Sequence, residues 1–117
     1  MSAPQECLFC GIVGKTVPAK LVYEDAETVA FCDIHPQAPV HVILVPRRHL
    51  ARISEAVPSD APLIGQLVLA ANTVARQLGL AEDGYRLVIN CNAHGGQTVY
   101  HVHVHLLGGR PMRWPPG

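Results

Sequence analysis

The chain has 117 residues and no net charge, because nine lysines and arginines balance nine acidic residues. Hydrophobic residues make up 49% of the sequence and charged residues 15%, a composition that excludes intrinsic disorder. The even charge argues against a nucleic-acid-binding surface. The most apolar stretch, residues 63–75, is too short to cross a membrane. We therefore expect one globular domain over residues 1–117, with neither nucleic acid nor membrane as partner.

The N-terminal residues 1–7 contain neither the basic nor the apolar region of a secretory signal, so a cytoplasmic location is expected. In a reducing cytosol the four cysteines are not expected to form disulfides. Cys7 and Cys10 form a C-x2-C pair. Cys32 and Cys91 stand alone in apolar runs and are interpreted as buried packing residues.

Two segments have the apolar spacing of helices. The first covers residues 8–13 and ends at Gly14. The second runs from Pro62 to Leu78 and ends at Gly79, where glycine permits a left-handed C-cap. We expect one short and one long helix.

Five segments have the composition of strands, and the third, residues 41–45, is apolar enough to be buried on both faces. A glycine-rich turn at residues 92–96 joins the last two strands, and residues 108–117 form a proline-rich tail that is expected to lie extended on the surface. The order of strands, helix and strands with hairpin connections favours an antiparallel α+β domain. The five predicted strands are residues 21–24, 28–32, 41–45, 86–91 and 99–107.

The strongest local pattern is the alternation of His101, His103 and His105 with apolar residues. On a strand the three imidazoles share one face, about 6.5–7 Å apart, while Val102 and Val104 face the core. The pattern fits a metal cluster, a nucleophile with supporting acid–base groups, or a solvated sheet face; the cost of burying unpartnered imidazoles on an apolar strand argues against the last. Imidazole suits attack at phosphorus, because it is substantially neutral near pH 7 and a hydrogen bond to one nitrogen leaves the other as nucleophile.

Just before these histidines, residues 95–98 (Gly-Gly-Gln-Thr) offer unhindered backbone N–H groups and a hydroxyl. They fit either a phosphate cradle or a tight turn.

The run His-Val-His-Val-His-Leu-Leu at 101–107, preceded by Gly-Gly-Gln-Thr-Val-Tyr, resembles the signature of the histidine triad (HIT) family. Nearly the whole chain carries the resemblance, and the ending Trp-Pro-Pro-Gly is similar to that of the histidine triad nucleotide-binding branch, whose members are purine nucleoside phosphoramidases. The further matching blocks are residues 31–41, 46–49, 84–90 and 108–117.

This resemblance implies a HIT-like fold, a homodimer and an enzyme that forms a nucleotidyl-histidine intermediate on His103. It implies that His105 hydrogen-bonds a phosphate oxygen and that His41 and His101 complete the catalytic histidine network. Asp33 is expected to bind the ribose hydroxyls, and the other expected nucleotide-binding residues are Phe9, Ile12, Ile34, Asn90, Gly96, Gln97 and Thr98. A threonine at 98 departs from the expected serine, and its stiffer rotamers weaken the expected contact with the leaving group. Without the resemblance, Asp33 is read as a turn residue and His41 as a core histidine.

The Cys7–Cys10 pair fits a zinc site, a redox pair or ordinary packing, although no strand precedes it as thioredoxin-like chemistry requires. HIT proteins with such a pair resemble one another in completing a zinc site with two histidines, here His49 and His101. Typical members that end in Trp-Pro-Pro-Gly lack the cysteines, so His101 is either a structural zinc ligand or a proton-network residue.

We expect hydrolysis of nucleoside 5′-phosphoramidates or acyl-nucleotides to the monophosphate, without a magnesium requirement. The alternatives are a dinucleoside polyphosphate hydrolase, a nucleotide-binding adaptor with incidental catalysis and a zinc hydrolase built on the histidine strand. Trp114, the only tryptophan, lies among prolines, and we expect residues 110–117 to support substrate selection at or across the dimer interface.

Overall fold

The computed structural model describes residues 7–117 and shows an α+β fold around one antiparallel sheet, as the sequence predicts. The N-terminal leader, on which the expectation about secretion rests, falls largely on residues 1–6, outside the described residues. In chain order the elements are α1 (Leu8–Val13), β1 (Leu21–Glu24), β2 (Thr28–Cys32), β3 (Val40–Pro46), 3-10 turns at Ile53–Glu55 and Pro58–Asp60, α2 (Ala61–Gln77), β4 (Tyr85–Val88), α3 (Asn92–Gly95) and β5 (Val104–Gly108).

The five strands lie in the order β1-β2-β3-β5-β4, and every neighbouring pair is antiparallel. β3 lies at the centre, pairing Val42 with Cys32 of β2 and His41 with Leu107 of β5. All but the first of its residues are buried, which confirms the prediction of a strand covered on both faces.

The long helix α2 covers one face of the sheet. Its buried residues recur at helical spacing, from Leu67 through Ala71 to Val74, and pack on Leu44 and Leu106 of the sheet. The helix ends as predicted, with Gly79 at a positive φ of 76°.

The short helix α1 covers part of the opposite face. Phe9 and Ile12 are buried against Phe31 and Ile43 of the sheet. The Sγ of Cys7 caps the helix by accepting a hydrogen bond from the amide of Cys10 at 3.3 Å. The cysteine pair is therefore fixed at the point where the chain enters α1.

The predicted strands at 86–91 and 99–107 are both too long. β4 ends at Val88 and β5 begins only at Val104. Between them the predicted turn at 92–96 contains the helical turn α3. The amide of Val102 donates to the carbonyl of Leu50 at 2.6 Å, so this segment is hydrogen-bonded to the chain that follows β3. Thus, of the three histidines, only His105 belongs to a strand.

Two further expectations need correction or qualification. Cys32 and Cys91 are half-buried, not fully buried, because each lies just beyond or at the end of a strand where cover from neighbouring elements is incomplete. The tail from 109 to 117 is almost wholly exposed, in agreement with the prediction. Within the described residues, none of the helices has the length and apolar character needed to span a bilayer.

Candidate active site and metal centre

The segment 101–105 alternates as the sequence predicts, although only its last residues are in a strand. Val102 and Val104 are fully buried on one side. On the other side His101 and His103 are buried and His105 is half-buried. The ring centroids of His103 and His105 are 4.9 Å apart, closer than the expected strand spacing, because the two rings turn toward each other edge to face.

His103 has one ring nitrogen held by the backbone. Its Nδ1–H donates to the carbonyl of His101 at 2.7 Å, which leaves the Nε2 lone pair without that proton. The ring of Phe9 packs perpendicular to the imidazole, with the two ring centroids 5.0 Å apart, and helps to fix its orientation. Burial lowers the pKa of His103, so the ring is neutral. A neutral imidazole with a free Nε2 is the form that attacks phosphorus.

His105 has its tautomer set by a chain of two hydrogen bonds. The amide of Gln37 donates to Nδ1 of His41 at 3.0 Å, so His41 carries its proton on Nε2. That Nε2–H donates to Nδ1 of His105 at 2.9 Å, which leaves the His105 proton on Nε2 as a donor. Burial, followed by the charges of His103 and His41, lowers the pKa of His105 to about 4.

Asp33 lies beside this chain at the end of β2. Its Oδ2 is 3.4 Å from Nε2 of His41, and its Oδ1 accepts a hydrogen bond from the amide of His35 at 2.7 Å. Burial lowers the pKa of His41 and the nearby Asp33 carboxylate opposes that shift. His41 is therefore neutral and acts between Asp33 and His105.

A cleft of about 430 Å³ opens in front of His103 and His105. Its size suits a small molecule such as a nucleotide. The predicted nucleotide-binding residues that line it are Phe9, Ile12, Asp33, Ile34, Asn90, Gly96, Thr98, His103 and His105. His41 and His101 lie behind this surface, outside the lining.

Gln97 is the one predicted nucleotide-binding residue outside the lining. Its side chain is buried and fully engaged inside the protein: the amide nitrogen donates to the carbonyls of Ala51 and Val99, and the amide oxygen accepts from the backbone of Asn92. The backbone N–H of Gln97 is engaged as well, because it donates to the carbonyl of Asn92 at 3.0 Å. Its side chain instead fixes the loop that carries Gly96 and Thr98.

Several residues that line the cleft were not predicted from the sequence. The loop after α1 contributes residues 17–19, and β2 and β3 contribute Phe31, Cys32 and Ile43. Alternation along β2 and β3 places Phe31 and Ile43 on the α1 side of the sheet, a signal that was present in the sequence. Nothing in the local sequence of 17–19 indicates that this loop returns to the cleft.

A second cluster of donor atoms lies around His101, at the start of the histidine segment. The four side chains are those that the resemblance names as metal ligands: Cys7, Cys10, His49 and His101. The Sγ of Cys10 is 3.2 Å from Nδ1 of His49 and 3.4 Å from Nδ1 of His101. The two Nδ1 atoms are 3.3 Å apart, and the Sγ of Cys7 is 3.4 Å from His101 Nδ1.

These separations fit a tetrahedral zinc ion, whose sulfur and nitrogen ligands lie roughly 3.3–3.8 Å from one another when they are bound at about 2.3 and 2.0 Å. The Nε2–H of His101 donates to the carbonyl of Pro46 at 2.8 Å, so Nδ1 presents its lone pair to the cluster. Burial, the largest cause, lowers the pKa of His101 to about 4, and burial together with Cys7 raises the pKa of the Cys10 thiol to about 11. The donor set and its geometry therefore fit a closed structural zinc site.

Comparisons with known proteins agree with this fold. The HIT domain profile matches residues 14–112. An uncharacterized HIT-like protein of Synechocystis sp. is 50% identical over 113 residues, which cover 97% of this chain and 98% of that protein. The crystal structure of a HIT family hydrolase from Legionella pneumophila is 49% identical, with a TM-score of 0.94, and covers 96% of this chain and all of its own.

Two more distant structures share the fold. A zinc-bound histidine triad family protein from Mycobacterium smegmatis is 28% identical, with a TM-score of 0.78 over 90% of this chain and 76% of its own. A histidine triad nucleotide-binding protein from Candida albicans is 30% identical, with a TM-score of 0.80 over 94% of this chain and 83% of its own. With the profile matched over most of its length and half its residues shared with a full-length relative, this chain belongs to the HIT domain family.

Proposed function

We propose that this protein hydrolyses purine nucleoside 5′-phosphoramidates or acyl-nucleotides, with His103 as the nucleophile. The observation that carries the proposal is the hydrogen bond from Nδ1–H of His103 to the carbonyl of His101. It fixes one tautomer of a buried imidazole whose side chain lines a nucleotide-sized cleft. The relative from Legionella pneumophila is described as a HIT family hydrolase, which supports hydrolysis as the reaction class.

The reaction proceeds in two displacements at phosphorus. In the first, the Nε2 lone pair of His103 forms a bond to the α-phosphorus and the bond from phosphorus to the leaving group breaks; an amine leaves with a proton taken from solvent, and an acyl group leaves as a carboxylate. In the second, water attacks the same phosphorus and gives up a proton to solvent, the bond to Nε2 breaks, and the nucleoside monophosphate leaves. The Nε2–H of His105 is available to donate to a phosphate oxygen as negative charge develops there.

Binding of the nucleotide uses the other walls of the cleft. Phe9, Ile12 and Ile34 offer apolar surface to the purine base. The carboxylate of Asp33 is available to the two ribose hydroxyls. Asn90, Gly96 and Thr98 surround the phosphate and the leaving group. The nucleotide-binding relative from Candida albicans supports this substrate class, and the proposed reaction needs no magnesium ion.

We also propose that Cys7, Cys10, His49 and His101 hold one zinc ion. Four ligands leave no open position, so the ion supplies structural cross-linking, not a reactive water. The site joins the start of α1, which carries Phe9 of the cleft, to the segment that carries His103. The zinc-bound relative from Mycobacterium smegmatis supports the choice of metal.

We also propose that the protein forms a homodimer. Trp114 in the tail is 82% exposed, and Leu69 on the outer face of α2 is 61% exposed. Large apolar side chains exposed on one protomer are typical of surfaces that another chain covers. We propose that residues 110–117 support selection of the leaving group at or across this interface.

Steady-state kinetics on a substrate panel tests the proposed function. Adenosine and guanosine 5′-phosphoramidates are expected to be hydrolysed in the presence of EDTA, with kcat/KM at least about 10⁴ M⁻¹ s⁻¹. Dinucleoside polyphosphates are expected to be much poorer substrates. Faster turnover of the dinucleotides would assign the protein to polyphosphate hydrolysis, and no turnover of any member of the panel would contradict the proposal.

A further inference from the structure

The two cysteines of the metal cluster lie on one helical turn. Cys7 is the N-cap of α1, and Cys10 lies three residues further on within the helix. Their sulfur atoms lie within 4.8 Å of each other. Sulfurs this close, on residues that share one face of a helix, can form a disulfide after a small movement of the chain. The pair therefore has a second chemistry open to it besides metal binding.

The sulfur side of the cluster is more open than its histidine side. Cys7 and Cys10 are half-buried in the part of the chain that the structure describes. Cys7 also lines a cavity of about 470 Å³. His101, by contrast, is fully buried. A small neutral oxidant such as hydrogen peroxide therefore meets the sulfurs first.

Phe9 connects the cysteine pair to the nucleotide cleft. It lies between the two cysteines in sequence, on a helix of only six residues. Its ring centroid is 5.0 Å from that of His103 and 5.3 Å from that of Phe31. The same side chain lines the nucleotide cleft. A change in the geometry between Cys7 and Cys10 therefore moves a wall of the cleft.

From this arrangement we infer that the Cys7–Cys10 pair is an oxidation site, which hydrogen peroxide converts to a disulfide, and that the disulfide weakens nucleotide binding through Phe9. The inference goes beyond the proposed hydrolysis, although its second half rests on the proposed nucleotide cleft. The oxidation is a direct reaction with peroxide, so it does not require the strand that precedes the cysteines in thioredoxin-like proteins.

The oxidation proceeds in two steps. When zinc is bound, both sulfurs are thiolates, which is the reactive form. One thiolate attacks a peroxide oxygen, the oxygen–oxygen bond breaks, and a sulfenic acid and a hydroxide form. The other thiolate attacks the sulfenic sulfur, the sulfur–oxygen bond breaks, and a second hydroxide leaves.

The two sulfurs together lose two electrons, and peroxide gains them. The two hydroxides take up two protons from solvent and become water. Only His49 and His101 of the four proposed ligands then remain for zinc, so the ion is released.

Peroxide treatment of Cys32→Ala/Cys91→Ser tests the inference, because this variant keeps only the two thiols of the pair. It also removes the cysteine that lines the cleft, whose own oxidation would disturb nucleotide binding. After treatment and denaturation, each chain should be two hydrogens lighter, with the link between residues 7 and 10. A chromophoric chelator should detect one released zinc per chain. The Kd for AMP should rise roughly fivefold, and dithiothreitol with added zinc should restore it.

Two further variants in the same background act as controls. With Cys7→Ser/Cys10→Ser, peroxide should form no disulfide and leave the Kd for AMP unchanged. With Phe9→Ala, the disulfide should form, but the Kd for AMP should change less than about twofold on oxidation, because the side chain that transmits the change is absent.

The separate readouts distinguish this inference from the other proposals. An untreated protein that does not bind AMP would contradict the proposed function, while the mass of the oxidised chain would still decide the oxidation site. A disulfide in a protein that holds no zinc would contradict the zinc site alone. Thiols that stay reduced, or sulfurs that oxidise without linking, would overturn the oxidation site. A disulfide with unchanged affinity for AMP, or with loss of the fold by circular dichroism, would overturn the connection through Phe9.

Discussion

The two ends of the segment 101–105 carry similar side chains in different arrangements. At its start, four sulfur and nitrogen atoms of Cys7, Cys10, His49 and His101 lie within a few ångströms of one another. At its end, Asp33, His41 and His105 form a group that is equally close. Proximity of donor atoms does not distinguish the two, since both groups satisfy the same distance condition for a metal site.

The positions of the protons distinguish them. In the group around His105, each close nitrogen pair contains one donor and one acceptor. The amide of Gln37 donates to His41, and His41 donates to His105. In the group around His101, Nδ1 of His49 and Nδ1 of His101 face each other at 3.3 Å, while the other nitrogen of His101 donates to a carbonyl. The Nδ1 lone pair of His101 therefore faces the Sγ atoms of both cysteines and Nδ1 of His49, a set of donor atoms that could hold a metal ion. The comparison teaches that a backbone carbonyl selects which nitrogen of each imidazole is left with its lone pair: Nδ1 in His101, whose Nε2 is held, and Nε2 in His103, whose Nδ1 is held.

The largest effect is expected from removing the free nitrogen in the cleft. His103→Ala should lower kcat at least about a thousandfold, about 4 kcal/mol of barrier, because the covalent step is lost. The affinity for nucleoside monophosphate should change less than about threefold, because few ground-state contacts are removed. Single-turnover kinetics and calorimetry on the same preparation check both values. A variant that keeps more than about a tenth of wild-type kcat, a loss below roughly 1.4 kcal/mol, would place the nucleophile elsewhere.

Breaking the proton chain should have an intermediate effect. His41→Ala removes the donor to Nδ1 of His105 and frees that imidazole to adopt the other tautomer. We expect kcat to fall roughly 10- to 100-fold with little change in KM, because the donor to the phosphate oxygen is lost mainly in the transition state. His94→Ala, an exposed histidine outside the cleft, is the control and should match the wild type. A His41→Ala enzyme within twofold of the wild type would show that the chain does not orient His105.

Removing ligands from the cluster around His101 should lower the thermal stability of the protein more than its catalytic rate. Wild-type protein made without a histidine tag should contain one zinc per chain, and Cys7→Ser/Cys10→Ser should contain none. Loss of the cross-link should lower the Tm by roughly 10 °C, while kcat falls less than tenfold. Cys91→Ser is the matched control, because this cysteine lies outside the cluster and should leave the zinc content unchanged. Zinc well below one equivalent in the wild type, or equal zinc in the double variant, would contradict the zinc site and assign His101 to the proton network.

The smallest effect is expected at the tail, whose residues belong to neither group. Deletion of residues 110–117 should preserve the fold and change the ratio of kcat/KM values across a panel of amine leaving groups by a few-fold. Circular dichroism and the panel kinetics check this together. Unchanged ratios across the panel would show that the tail has no part in selection.

Much of the fold is predictable from sequence because its elements have regular apolar spacing. The helical pattern at 62–78 and the continuous apolar run at 41–45 both identify elements whose faces are buried, and the structure confirms both. The predicted final strand begins five residues too early. Alternation of apolar and polar residues indicates an extended chain but does not identify the chain to which it is hydrogen-bonded. Val102 lies before β5, and its amide pairs with Leu50 outside the sheet.

The site was less predictable where function depends on contacts distant in sequence. The pattern of three histidines indicates shared chemistry, but their different tautomers depend on Pro46, Gln37 and the carbonyl of His101. Gln97 was interpreted as a ligand contact because it lies in a glycine-rich segment, whereas its side chain binds three backbone groups. Such assignments require coordinates, since no local pattern records which carbonyl a buried side chain reaches.

Trapping the covalent intermediate tests the central claim most directly. Protein mixed with an adenosine 5′-phosphoramidate and quenched during turnover should carry one added nucleotidyl group, and peptide mass analysis should place it on His103 because only this imidazole is held with its Nε2 lone pair toward the cleft. The adduct should be absent from His103→Ala and present in Cys7→Ser/Cys10→Ser. An adduct on His105 or His101, or rapid turnover with no adduct on any histidine, would contradict the assignment of roles within the triad.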